Sequence, residues 1–273
     1  MARLALRLRF KGRKMSAIYH PNMDIKSKFE RRGAKLMGKR PVAMKLDRPI
    51  ISFSFDDCPR SALENAAPLL EDNGWQGTFY MAMGLCDSTN HLGQHMSAQD
   101  VQAAHKSGHE IADHTFSHID GQQTALKEFK ADIDKNQAAI TALGIPPSRN
   151  FAYPYGCVSP KLKKHMARKF DLIRGVHDPD TSETNTELDT ALLPSMRMYT
   201  GNAVNDIIQT IGRLKHDPQW LTLFTHDVRD TPSDFGCRPD DIKRIIYAIK
   251  ESGARVMTMI DALDYLQAEP DNA

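Results

Sequence analysis

The sequence predicts a single α/β barrel behind a basic N-terminal arm, on three observations. Short apolar segments recur after residue 49, each followed by a helical or loop segment, the rhythm of βα units. Seven or eight such units fit within 273 residues with no long linker. Chemically capable side chains gather where the strands end, the place where such barrels keep their chemistry. Apolar residues make up 41% and charged residues 26% of the chain, enough for a sizeable core and too apolar for wholesale disorder. No stretch approaches the roughly 18 consecutive apolar residues of a membrane span. Cys58, Cys86, Cys157 and Cys237 have no zinc-ribbon spacing and read as reduced structural thiols.

The arm comes first. Residues 1–50 hold 15 Lys/Arg against 3 Asp/Glu, and the remainder 21 against 31. A basic segment therefore precedes an acidic body, and the chain divides into an arm, 1–48, and a catalytic domain, 49–273. Leu4, Leu6, Leu8 and Phe10 alternate with basic residues, a half-buried strand pattern. That pattern fits an extra strand or clamp on the body, a homo-oligomer contact, or an arm on an anionic membrane surface. A second basic run, 26–40, reads as a solvated helix. The basic start lacks the apolar run of a secretion signal, so the chain reads as cytoplasmic, with a peripheral place at the inner membrane if the arm serves lipid.

The barrel follows in order. Residues 49–55 (PIISFSF) read as a buried strand. Residues 61–73 read as a helix with Ser61 as N-cap and Glu64 at the third position, stopped by Gly74. A strand at 77–83, a helix at 97–107 capped by Ser97, and a strand at 109–112 come next. A long helix spans 122–143, then a strand at 150–153 and a helix at 159–170 with Pro160 in its first turn. Strands at 172–176, 192–198 and 220–225 alternate with helices near 204–215 and 240–252. A last strand, 255–259, leads into a C-terminal helix.

Strand ends select the candidates. The first strand ends in Asp56-Asp57, the third runs into Asp113-His114 with His118 four residues on, and another ends in Trp220…Thr225-His226. Three histidine pairs are four apart: His91/His95, His105/His109 and His114/His118. Only the last begins at a predicted strand end on the catalytic side. Two histidines plus one carboxylate suit a catalytic Zn2+ that keeps an open position, and Asp57 is the leading candidate for the carboxylate. Asp56 is then free to take a proton. His226 is either a core histidine bonded to a carbonyl or a general acid. The turn Pro154-Tyr155-Gly156 can present a backbone N–H to an oxyanion.

Taken in order, these segments resemble the carbohydrate esterase family 4, or NodB-homology, polysaccharide deacetylases. SFSFDD is similar to the family's TFDD motif, HEIADHTFSH to H-S/T-x-x-H, FAYPYG to RPPYG, and LTLFTHD to the final strand ending in His. The resemblance runs from about residue 49 to 260. It implies a distorted (β/α)7-type barrel and metal-dependent removal of N-acetyl groups from amino-sugar glycans. It makes Asp57, His114 and His118 the metal ligands, Asp56 the base, His226 the acid and the Tyr155 amide the oxyanion donor.

The sequence also departs from the pattern. The arginine that holds the catalytic aspartate in many members is Ala152 here, and Cys58 replaces a frequent glycine. Arg197 is expected either to supply the missing guanidinium or to pack on a surface carboxylate. The FAYPYG form is similar to a subgroup acting on poly-N-acetylglucosamine, and SFDDCPRSA behind a basic arm resembles cytoplasmic deacetylases of holdfast and exopolysaccharide synthesis. The competing readings are hydrolysis of another small amide, such as a formamido sugar or a ureide, and a glycan-binding relative without catalysis. Nucleic-acid binding is disfavoured by the acidic body and the absence of an aromatic stacking series.

Overall fold

The computed structural model describes residues 19–179 and 187–268. The alternation Leu4, Leu6, Leu8, Phe10 lies outside the described residues. Helix α1 (Ile25–Leu36) starts at Asp24, whose carboxylate accepts the Ser27 N–H. Strand β1 (Pro41–Ala43) follows, then β2 (Ile50–Asp56), buried along its whole length. Next come α2 (Arg60–Asn65), α3 (Ala67–Glu71), β3 (Thr78–Met81), the short hairpin β4 (Thr89–Asn90) and β5 (Gly93–Gln94), α4 (Ala98–Lys106) and β6 (Glu110–Asp113). Then follow α5 (Leu126–Thr141), β7 (Asn150–Ala152), α6 (Pro160–Met166), β8 (Leu172–Arg174), β9 (Glu187–Asp189), β10 (Met196–Arg197), α7 (Asn202–Leu214) and β11 (Trp220–Thr225). The chain closes with α8 (Pro239–Ser252), β12 (Arg255–Val256) and α9 (Met259–Ala268).

Seven parallel strands run in the order β10-β11-β2-β3-β6-β7-β8, and β12 pairs with the start of β2. The sheet curls into a half-barrel, as the sequence predicts. Strands β11 and β2 are held together by six register pairs, Trp220 opposite Ile50 through Thr225 opposite Phe55. Helices α7 and α8 turn Val204, Ile207, Ile211, Ile242, Ile245 and Ile249 onto the sheet, each burial contributing about 1.5–3 kcal/mol. Among the described residues no helix is long and apolar enough to cross a membrane.

Three sequence expectations shift. Ser61 is not an N-cap: α2 begins one residue earlier after Pro59, and the Ser61 hydroxyl accepts the Val228 N–H at 3.2 Å. The helix also breaks at Ala66, because Pro68 cannot donate back along it. The long helix starts only at Leu126, since the Asp120 carboxylate takes the N–H groups of Gln122 and Gln123 and turns the chain there. The strand expected over 192–198 shortens to Met196–Arg197, with Leu193 bridging to Arg174.

The basic run 26–40 is helical, yet one face is docked rather than solvated. Ala34 is fully buried, and a Cβ on Gly33 would sit 3.1 Å from Pro160 of α6. Lys163, itself fully buried, donates to the Ala34 and Met37 carbonyls at 2.8 and 3.0 Å and to Asp189 at 2.5 Å. Strand β1 pairs antiparallel with β9. Residues 19–43 are thus bonded to the barrel.

Candidate metal centre and active-site cavity

The sheet delivers the site because β2, β6 and β7 all end on one face. Directly after β2 the chain turns through Asp57 and Cys58, both with positive φ (62° and 59°). Thr115, His118 and Tyr155 share that backbone region (61°, 52° and 59°). Such conformations cost about 1–3 kcal/mol each in non-glycine residues and persist where surrounding structure fixes them. Among the described residues, five of the six non-glycine residues of this kind border this site; Asp87 is the other. The φ of Cys58 is one that glycine adopts freely, which accounts for the glycine common at that motif position.

Asp57 Oδ1 lies 3.3 Å from His114 Nε2 and 2.9 Å from His118 Nε2. The three residues are the only such cluster able to hold a metal ion among the described residues. Their partners fix the chemistry. His114 Nδ1 is 2.8 Å from the Ala152 carbonyl, which can only accept, so the proton sits on Nδ1. Nε2 of the neutral ring then turns a lone pair toward Asp57. His118 Nδ1 lies 3.0 Å from the Tyr155 hydroxyl, which is able to accept the Nδ1 proton in the same way. Asp57 Oδ1 has no hydrogen-bond partner although it is buried. With both rings neutral and protonated at Nδ1, three electron-pair donors converge, an arrangement that a cation completes. The ligand set fits a divalent ion such as Zn2+.

Asp113, at the end of β6, braces the loop between the two histidines. It accepts the Thr115 N–H at 2.8 Å and the Gln137 amide at 2.7 Å, and burial pushes its carboxyl up to about 7.

Asp56 sits beside the triad, and its two oxygens accept from Arg174 Nη2 at 2.6 and 2.5 Å. Arg174 is fully buried, with its guanidinium over the rings of Tyr80 (4.7 Å) and Phe224 (4.8 Å). The planar fork thus has aromatic faces and a carboxylate edge. Arg174 is the register partner of Ala152 across β7 and β8. The guanidinium missing from position 152 arrives from the neighbouring strand.

Arg197 does not reach Asp56. Its side chain is half exposed, donating weakly to the Val176 carbonyl at 3.4 Å with Asp178 at 4.0 Å. The sequence signal for Arg174 is a charge inside the apolar run Leu172-Ile173-Arg174, since a cation in a buried strand must be paired.

His226 follows β11. Its Nδ1 and its backbone N–H both approach the Phe235 carbonyl, at 3.1 and 3.2 Å. A carbonyl rather than a carboxylate orients this ring, and Nε2 is left for the cavity. Asp227, next in sequence, is buried and occupied by Ser233 and Arg229, which fix the 226–237 loop.

Asp56, Asp57, His114, His118, Tyr155 and His226 line one cavity of about 410 Å³, with Arg197 at its edge. The other histidine pairs stay outside the triad. His109 is a core histidine, accepting the Gly77 N–H and facing Glu71. His95 is buried beside the Cys58–Pro59 turn, and His91 only lines the cavity.

Residues 43–171 match the family model for polysaccharide deacetylase. No curated protein matches the chain. Among solved structures, the chain is similar to the Xyl-CE4 domain of a multidomain xylanase from the hindgut metagenome of Trinervitermes trinervoides. That pair has 19% identity, a TM-score of 0.55 and coverage of 83% of this chain and 95% of the other. It is also similar to peptidoglycan deacetylase PdaC from Bacillus subtilis (18%, 0.53, 82% and 93%). A family 4 carbohydrate esterase from Streptomyces lividans, in complex with acetate, gives 20%, 0.52, 77% and 91%. At these identities the structures speak for the fold. The family-model match is confined to residues 43–171, and the likeness to these solved structures is one of fold.

Proposed function

We propose that this protein is a metal-dependent N-deacetylase of amino-sugar glycans, acting on an exopolysaccharide or its lipid-linked precursor. The observation that carries the reading is one cavity presenting an Asp57–His114–His118 ligand set together with an arginine-held carboxylate, Asp56, and a carbonyl-oriented imidazole, His226. A purely glycan-binding site has no use for all five.

Asp57, His114 and His118 would hold the ion, Zn2+ by ligand type. When bound, it supplies Lewis-acid polarisation of the amide carbonyl and acidifies water. The chain's own residues do the rest. Asp56, fixed by Arg174, takes the proton of the attacking water. The Tyr155 N–H donates to the carbonyl oxygen as negative charge develops there. His226, with Nδ1 committed to Phe235, directs Nε2 to the leaving nitrogen and protonates it as the C–N bond breaks. Products are acetate and a free amino sugar. The experiment is product analysis on short N-acetylglucosamine oligomers. Acetate with matching free amines is expected; formate or ammonia from other amides with no acetate would overturn the reading.

The basic arm extends the proposal to a cytoplasmic enzyme at the membrane face. Each Lys or Arg near an anionic surface contributes about 1 kcal/mol. The intact protein should co-sediment with anionic liposomes at low salt and release at high salt. If it does not, and deleting residues 1–14 splits an oligomer, the arm serves a second subunit.

A further inference from the structure

One wall of the cavity comes from the segment that precedes the first strand of the sheet. Tyr19, His20 and Pro21 line it, and all three precede the segment 43–171 that matches the family model. The wall is anchored. The Tyr19 hydroxyl donates to Asp120 Oδ2 at 2.8 Å, and the Tyr19 ring lies 4.7 Å from that of Tyr155, tilted by 46°. Tyr155 in turn lies 4.4 Å from the His118 ring. Further along, Arg31 donates to Gln122 at 2.7 Å and Gln122 to the Ser27 carbonyl at 3.0 Å, tying α1 to the same loop. Tyr19 lines the cavity and keeps 39% of its surface exposed.

We propose that residues 19–21 form a second sugar subsite, in which Tyr19 receives the apolar face of the pyranose next to the unit being deacetylated. This rests on the glycan reading of the site given above. The rings of His118, Tyr155 and Tyr19 pack in series beside the metal ligands, with successive centroids 4.4 and 4.7 Å apart. Because Tyr19 lines the same cavity as Asp56, Asp57 and His226, a chain whose acetamido group lies among those three has Tyr19 as a platform for the adjoining sugar. Tyrosine suits such a platform because it is rigid, apolar on its face and held by its hydroxyl. The subsite makes the enzyme prefer chains over single sugars, and Tyr19 is its specificity-determining residue.

The test compares N-acetylglucosamine with its pentamer in wild type, Tyr19→Ala and Tyr19→Phe. Direct binding of the pentamer to Asp56→Asn protein, with and without Tyr19→Ala, is measured alongside. Tyr19→Ala should raise the pentamer KM and Kd by about three- to tenfold, the usual worth of one aromatic contact, and the loss should fall on KM rather than kcat. Tyr19→Phe, which keeps the ring and loses the anchor, should stay within about twofold of wild type on that scale. If Tyr19→Ala melts early, Tyr19→Leu carries the comparison, keeping bulk without an aromatic face. Equal losses on monomer and pentamer, or no loss on either, would overturn the subsite. Pentamer binding that Tyr19→Ala weakens, in a protein whose wild type releases no acetate, would leave the subsite standing and overturn the reaction instead.

Discussion

The two ends of the same strands both enclose carboxylates, with opposite consequences. At the start of β6, Glu110 accepts from Thr78 at 2.7 Å, from Asn150 at 2.8 Å and from the Ile260 N–H at 3.1 Å. Both oxygens are occupied, and α9 closes over the end. Desolvation lifts the Glu110 pKa without creating a site. At the other end Asp57 Oδ1 meets two imidazole nitrogens and no hydrogen bond, and the backbone around it is held in left-handed conformations. A saturated carboxylate is a structural plug; one whose neighbours are electron-pair donors is a ligand in waiting.

The sharpest way to break that contrast is at His114. His114→Ala should lose bound metal and acetate release together. Full metal occupancy in the variant, measured by elemental analysis, would show that the ion sits elsewhere. Asp56→Asn is the next largest effect: metal retained, turnover lower by about two to four orders of magnitude. Near-normal turnover would move the base away from Asp56.

The two arginines sharpen the comparison within the upper end. Arg174→Ala leaves a buried carboxylate unpaired and should cost about 3–5 kcal/mol in urea unfolding. Arg197→Ala, removing a half-exposed side chain, should stay within about 0.5 kcal/mol. Equal costs would place Arg197 in the core network. At the lower end, Glu110→Ala should destabilise by about 1–3 kcal/mol, because Thr78, Asn150 and Ile260 lose an acceptor, and should leave metal content unchanged.

The remaining comparison is a pH slope. Burial lowers His177 from its ordinary value to about 4. Between that value and the unfolded value of about 6.5, the unfolded chain binds the proton and the folded one does not. Stability should therefore decline as pH falls from about 6.5 towards about 4. His177→Gln should flatten that part of the melting-temperature profile; an unchanged slope would assign it to another group.

Much of the site is legible in the sequence because chemistry sits at strand ends. Asp56, Asp57, His114 and His226 each follow a buried apolar run, so hydrophobic pattern and residue type point to one place. Arg174 is not legible that way. It reaches Asp56 across the curled sheet, and sequence spacing carries no information on which strand fills a gap left at Ala152. The docked face of α1 is hidden for a related reason: its partners, Lys163 and Gln122, lie more than ninety residues away. The broken helix at Ala66 has a local signal in Pro68, which the Ser61–Glu64 capping pattern masks by pointing to one continuous helix.

The most direct measurement is a titration of chelator-stripped protein with Zn2+, reading bound metal and acetate release from N-acetylglucosamine oligomers in the same samples. Release should rise with bound ion, saturate at a single ion per chain, and be absent from His114→Ala at every Zn2+ concentration. Undiminished release by the stripped protein, or saturation by His114→Ala alongside wild type, would contradict the assignment of the ion to Asp57, His114 and His118.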